Sequence, residues 1–255
     1  MKQMNAWLNL IGFAGMIIVN FLANKLPIGG KTTGEISAQH PVLITPAGYA
    51  FSIWSIIYML LFLFIIYGFT KDGRASSRIS SIGIFFFISC LFNISWLLLW
   101  HYEQLTSSVF IMFALLITLC IVYGKINRTK PARHAERWTV RLPFSIYLGW
   151  ICVATIVNVA VALSARGWDG FGLPDTVWAI IMLGVATVVA LALGLNYKDV
   201  AYMLVFVWAF IAIGIKQQAY PAVAYTSYAL AALLVLVVLF IVMKMVQGTG
   251  EERAA

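Results

Sequence analysis

YLGWICVATIVN, residues 147–158, carries no charge, yet it sets an aromatic or polar group at regular intervals. Tyr147, Trp150, Ala154 and Asn158 follow one another at offsets of three, four and four. That spacing places them on one face of an α-helix, and it lacks the alternation of a strand. The surrounding apolar run, 141–164, reaches the length of about 20 residues that a membrane span requires. The stretch therefore reads as a membrane-crossing helix with one aromatic and polar stripe.

The rest of the chain agrees with that reading. It has 255 residues, 62% hydrophobic and only 10% charged, with a mean hydropathy of +0.94. Soluble domains carry roughly 25% charged residues, so the composition excludes a surface facing water all round. Apolar runs predict helices at about 6–26, 47–69, 79–101, 106–125, 141–164, 175–196, 200–216 and 222–244. None shows the period of a membrane β-barrel. The expected fold is all-α, a polytopic transmembrane bundle of about eight helices. The expected organisation is a five-helix bundle over 1–164, three further helices over 165–247 and a cytoplasmic tail at 248–255.

The net charge of +8 is distributed in a way that argues for lipid and against nucleic acid. Lys2, Lys71, Arg74, Arg78, Lys125, Arg128, Lys130, Arg133, Arg137, Arg141, Lys198, Lys244 and Arg253 fall on one side of the eight spans. Only Lys25, Lys31, Arg166 and Lys216 fall on the other. Basic residues favour the cytoplasmic face, which predicts both termini inside a bacterial-type plasma membrane. The run Trp7–Leu26 lacks a small-residue cleavage site and reads as the first span rather than a signal peptide.

Several chemistries lack residues to perform them. The acidic residues fall in loops or at span ends, whereas ion-coupled carriers place ionisable groups at membrane depth. Lys216 could carry a Schiff base, but no intramembrane carboxylate offers a counter-ion. His40, His101 and His134 sit in or beside loops, without metal-ligand spacing. Cys90, Cys120 and Cys152 lie in apolar runs and form no disulfide framework. No phosphate loop or nucleophile motif is present, so the chain is not expected to be an enzyme or to need a metal or a cofactor.

Two more stripes accompany the first: Trp54 and Tyr58, four apart, and Asn93, Trp96 and Trp100, at offsets of three and four. Aromatics at such spacing serve as packing or interfacial belts, and an intramembrane Asn can bind helix to helix. Three stripes converging on one cavity would instead suit a flat, mostly apolar ligand, with Ala154 leaving room beside Trp150. The loop at 27–46, rich in Gly, Pro and Thr, is either a plain connector or a lid over such a cavity. Asp175 is expected to cap the sixth helix.

Those stripes resemble the TspO/MBR family, the tryptophan-rich sensory proteins related to the mitochondrial translocator protein. The likeness rests on PAGYAFSIWSIIY (46–58), LFNISWLLLW (91–100) and YLGWICVATIVN (147–158), in the family's helix order. It covers about residues 6–164, and three helices follow as a C-terminal extension. Pro143 lies four residues before Tyr147, where the family has a proline directly beside the tyrosine. The resemblance implies a five-helix bundle whose first loop folds over a pocket, homodimer formation, and binding of porphyrins, haem or other flat hydrophobic molecules. It assigns ligand contacts to Trp54, Tyr58, Asn93, Trp96, Tyr147, Trp150, Ala154 and Asn158. Pro46, Gly48, Tyr49 and Phe51 would form the entrance. The expected function is a membrane receptor, sensor or translocator for such a ligand. The alternatives are a carrier for a small metabolite or lipid, and a structural partner of a membrane complex.

Overall fold

The computed structural model describes residues 3–25, 28–129 and 133–254. Lys2, Leu26, Pro27, Lys130 and Ala255, all used in the readings above, lie outside the described residues. Among the described residues, eight apolar helices carry the fold: α1 (Gln3–Lys25), α2 (Ile53–Phe69), α3 (Phe85–His101), α4 (Leu105–Arg128), α5 (Leu142–Ala165), α6 (Asp175–Tyr197), α7 (Val200–Lys216) and α8 (Pro221–Ala254). Six helical stretches among the described residues are long and apolar enough to cross a membrane, and α3 and α7 are shorter apolar helices. At 17 residues each, these two extend about 26 Å, slightly less than a bilayer's hydrocarbon core. The chain is a multi-pass, all-helical membrane protein. Its exposed side chains match, with Ile18, Phe62, Phe110, Leu236 and Met243 all turned outward.

Two local departures from the expected spans have visible causes. The span expected at 79–101 breaks into Ser77–Ile82 and α3, because Gly83 adopts φ +59° between them. Glycine enters that region without the steric penalty of a Cβ. The fifth span begins with a wide π-helical turn over Arg137–Arg141, where the Leu142 N–H donates to the Arg137 carbonyl. Pro143 follows at once. Its ring cannot donate and crowds the carbonyl four residues back, so widening the turn accommodates it.

Contacts divide the chain into two compact units, one comprising 1–42 and 51–169, the other 43–50 and 170–255. In the first, α1 packs on α3, α3 on α4, α4 on α5, α5 on α2 and α2 on α1, closing a ring of five helices. Beside the end of α4, Arg78 donates to the carbonyls of Ile126, at 2.7 Å, and Thr129. A cation there offsets the helix's C-terminal dipole. Glu136, at the start of the span His134–Ser164, is buried against Arg78 Nε at 3.4 Å. It also accepts from the Ser76 hydroxyl and the Arg133 N–H.

In the second unit α7 and α8 pack closely, and α6 packs on both. Lys198, in the left-handed conformation, ends α6, and the Asp199 side chain caps α7 by accepting from the Tyr202 N–H at 3.1 Å. Asp175 does not cap α6 as expected. It is the first helical residue, and Pro174 occupies the cap, its carbonyl accepting from Val177 and Trp178. The segment 43–50 joins this unit through Ala47 N–H to Ala212 O at 3.1 Å and Trp208 Nε1 to Ala50 O at 3.1 Å.

Candidate functional site

The stripes of α2 and α5 meet inside the first unit. Helical spacing stacks Trp54 on Tyr58, with ring centroids 5.4 Å apart and an interplanar angle of 23°. Trp54 then presents its indole edgewise to Tyr147 at 6.1 Å and to Trp150 at 6.5 Å. Phe51, in the short helical turn Gly48–Ser52 that leads into α2, meets Trp150 at 5.9 Å. Edge-to-face contacts at these separations contribute about 0.5–1.5 kcal/mol each beyond burial. Tyr147 and Trp150 are buried, while Phe51, Trp54, Tyr58 and Ala154 are half-buried.

Asn93 and Asn158 lie in the same bundle but are committed to neighbouring helices. Asn93 Oδ1 accepts from Asn20 Nδ2 on α1 at 3.0 Å, and its own amide donates to the Tyr147 hydroxyl at 3.3 Å. Asn158 Oδ1 accepts from Trp96 Nε1 on α3 at 3.1 Å, and its amide donates to Ser108 Oγ on α4 at 3.0 Å. Each such bond between membrane helices is worth about 1 kcal/mol. The two amides thus tie α1, α3, α4 and α5 together and fix the positions of Tyr147 and Trp96.

Two polar atoms of the aromatic cluster have no such partner. Tyr58 Oη and Trp150 Nε1 are both buried and make no hydrogen bond within the described protein. Leaving a buried donor unsatisfied costs about 1–3 kcal/mol, and helix-forming sequences in a membrane avoid it.

The first loop folds over the end of α3. Residues Thr33–Gln39 form a short helix, opened by a capping box in which the Thr32 N–H donates to Glu35 at 2.7 Å and the Glu35 N–H donates back to Thr32 at 3.3 Å. Trp100 Nε1 donates to the Thr33 carbonyl at 3.2 Å, while its ring lies 5.8 Å from that of Trp96. Lys31 Nζ meets Glu103 Oε1 at 2.6 Å. The bond from the Thr32 backbone N–H holds the Glu35 carboxyl below the ordinary carboxylate range. The Lys31 hydrogen bond, then its charge, does the same for Glu103.

The sequence-predicted residues therefore separate into groups. Trp54, Tyr58, Tyr147 and Trp150 come together, with Phe51 against them and Ala154 one turn beyond Trp150. Asn93, Trp96 and Asn158 form the polar framework. Pro46, Gly48 and Tyr49 fall in the segment 43–50, where Tyr49 packs edgewise on Trp208 at 5.3 Å. Asn20, Thr33 and Ser108 escaped sequence reasoning as members of this network, and Trp100, though in the stripe of Asn93 and Trp96, was not among the expected ligand contacts. Trp100 did carry a signal, since it follows Trp96 by one turn. His101, the last residue of α3 and beside a loop as expected, is buried, with Nδ1 bonded to the Leu97 carbonyl at 2.9 Å. Among the described residues, no group of His, Cys, Asp and Glu could hold a metal ion.

A family profile described as TSPO-like protein matches residues 6–240 of this chain. The chain belongs to that family. The match takes in α6 and α7 and most of α8 as well as the five-helix ring. Searches of curated proteins and of solved structures gave no match.

Proposed function

We propose that this TSPO-like protein is a membrane receptor or translocator for a flat, mostly apolar ligand seated against Trp54, Tyr58, Tyr147 and Trp150. The observation that carries the reading is the pair of unpartnered buried donors, Tyr58 Oη and Trp150 Nε1, within a cluster of aromatic rings. A ligand with a π-face for the rings and an acceptor for either donor would satisfy both kinds of group. Asn93 and Asn158 enter as the framework that holds Tyr147 and Trp96. The short helix Thr33–Gln39, held by Trp100, serves as the cover. The bias of Lys and Arg supports both termini in the cytoplasm, as in a bacterial-type plasma membrane.

Tryptophan-fluorescence titration with protoporphyrin, in detergent, tests the reading. Saturable quenching is expected in the wild type, with affinity reduced at least tenfold in Trp150→Ala. Equal quenching in both proteins would remove the site. A structural role in a membrane complex is the second reading, supported by the way these rings touch one another. Absence of saturable binding by any flat ligand would favour it.

A further inference from the structure

The wide turn Arg137–Arg141 opens the fifth span and packs against α2 and α4. Around it, the first unit gathers charge of one sign. Arg133 meets Asp72 at 3.3 Å, and Arg78 joins Glu136 to the end of α4. Asp72 and Glu136 are the only acidic residues in the segments 70–78 and 125–141, so these contacts use both. Lys71, Arg128 and Arg137 are left exposed, and among the described residues no acidic side chain pairs with them. Trp138, next to Arg137, is 59% exposed at the start of the span. The other end of the unit differs, since Lys31 there is paired with Glu103 at 2.6 Å.

We propose that this end of the first unit docks an anionic phospholipid of the adjoining leaflet, its phosphate held by Arg137 and attracted by Arg128 and Lys71. An unpaired guanidinium can hold a phosphate bidentately, and cations beside a span favour anionic headgroups. Trp138 sets the depth, because exposed indoles at the ends of spans lie at the headgroup level. A soluble polyanion would answer the cations but give that indole no apolar partner. The surface is distinct from the aromatic cluster of Trp54, Tyr58, Tyr147 and Trp150, and it stands whether or not that cluster takes a ligand.

Native mass spectrometry of the full chain in detergent, with phosphatidylglycerol and phosphatidylcholine of identical acyl chains in equal amounts, tests the site. The wild type is expected to retain phosphatidylglycerol in preference. Arg137→Gln should lower that preference about fivefold, the worth of one cation near an anionic surface, and Arg128→Gln/Arg137→Gln should lower it further. Lys25→Gln removes the same charge from the exposed end of α1 and should leave the preference unchanged. The substituted side chains are exposed, and far-UV circular dichroism confirms that each variant folds. Equal retention of both lipids by the wild type would overturn the inference, as would a preference that survives Arg128→Gln/Arg137→Gln. An equal loss in Lys25→Gln would assign the preference to net charge and overturn the site. Displacement of the lipid by excess glycerol phosphate would make the occupant a soluble phosphate and overturn it too.

Discussion

The two units solve the same problem, holding helices together in lipid, with different interiors. In the first, buried polar side chains reach across helices: Asn20 to Asn93, Asn93 to Tyr147, Trp96 to Asn158 and Asn158 to Ser108. In the second, Thr187 bonds back to the Leu183 carbonyl and Ser227 to that of Val223, within their own helices. There the approach of helices depends on small residues, among them Ala186, Ala190, Ala209, Ala212, Gly194 and Gly214. The Tyr202 hydroxyl, donating to Val189 O at 3.3 Å, is an exception. Lipid tails are as apolar as leucine, so neither unit gains from a hydrophobic effect between helices. Packing holds the second unit, and directional bonds supplement packing in the first. The first thereby assembles aromatic rings around polar groups fixed from neighbouring helices.

The largest expected effect tests the packed unit. A Cβ on Gly194 would stand 2.3 Å from Met203 Cγ and 2.5 Å from its sulfur, and Met203 is fully buried. Gly194→Ala should cost about 1–3 kcal/mol through overpacking, read as a lower SDS-unfolding midpoint by circular dichroism. Met203→Ala should recover much of that loss in a double-mutant cycle. Additive effects would show that the close approach of α6 and α7 does not depend on this contact.

A smaller effect is expected from the bonded unit. Asn158→Leu removes the acceptor of the Trp96 indole and the donor to Ser108, and should cost about 1–2 kcal/mol at one bond each. The same unfolding assay checks it. A neutral result would mean that Trp96 and Ser108 find other partners, and the contrast between the interiors would lose its energetic meaning.

The contrast also explains what could be read before the fold was known. Span positions were legible because burial in lipid demands long apolar runs, and even the short α7 lies at 200–216 as expected. The meeting of α2 and α5 was legible because Trp54, Tyr58, Tyr147 and Trp150 keep helical spacing. The break at Gly83 was not, since glycine within an apolar run is equally compatible with a continuous helix. The partners of Asn93 and Asn158 were hidden for a different reason. Periodicity places a residue on a face, but which helix opposes that face is a tertiary fact. Asn20 and Ser108 become visible only when the ring of five closes. The burial of Glu136, at the start of its span, was hidden on the same ground, since its partner Arg78 lies far away in sequence.

The smallest effect concerns the cover over α3, and it is a pH dependence. Glu35 and Glu103 both have carboxyls held below the ordinary range when folded, by the Thr32 backbone bond and the Lys31 ammonium respectively. The positive charge of His40 adds to the effect on Glu103. A folded value below the unfolded one means that stability is present above the ordinary carboxylate range and is lost as pH falls through the lowered value. The Trp100–Thr33 bond has no titrating group and should persist, so the loop should loosen without detaching. Amide exchange across Thr32–Gln39 should therefore quicken beyond its intrinsic pH trend as pH drops from neutral through the carboxylate range. Glu103→Gln should remove part of that response, and so should high salt, because both groups of the Lys31 pair reach solvent. Glu35→Gln should remove the remainder. A response unchanged in both variants would assign the loop's hold on α3 to Trp100 and the buried Ile36 alone, making the cover a packed element of the first unit like its helices.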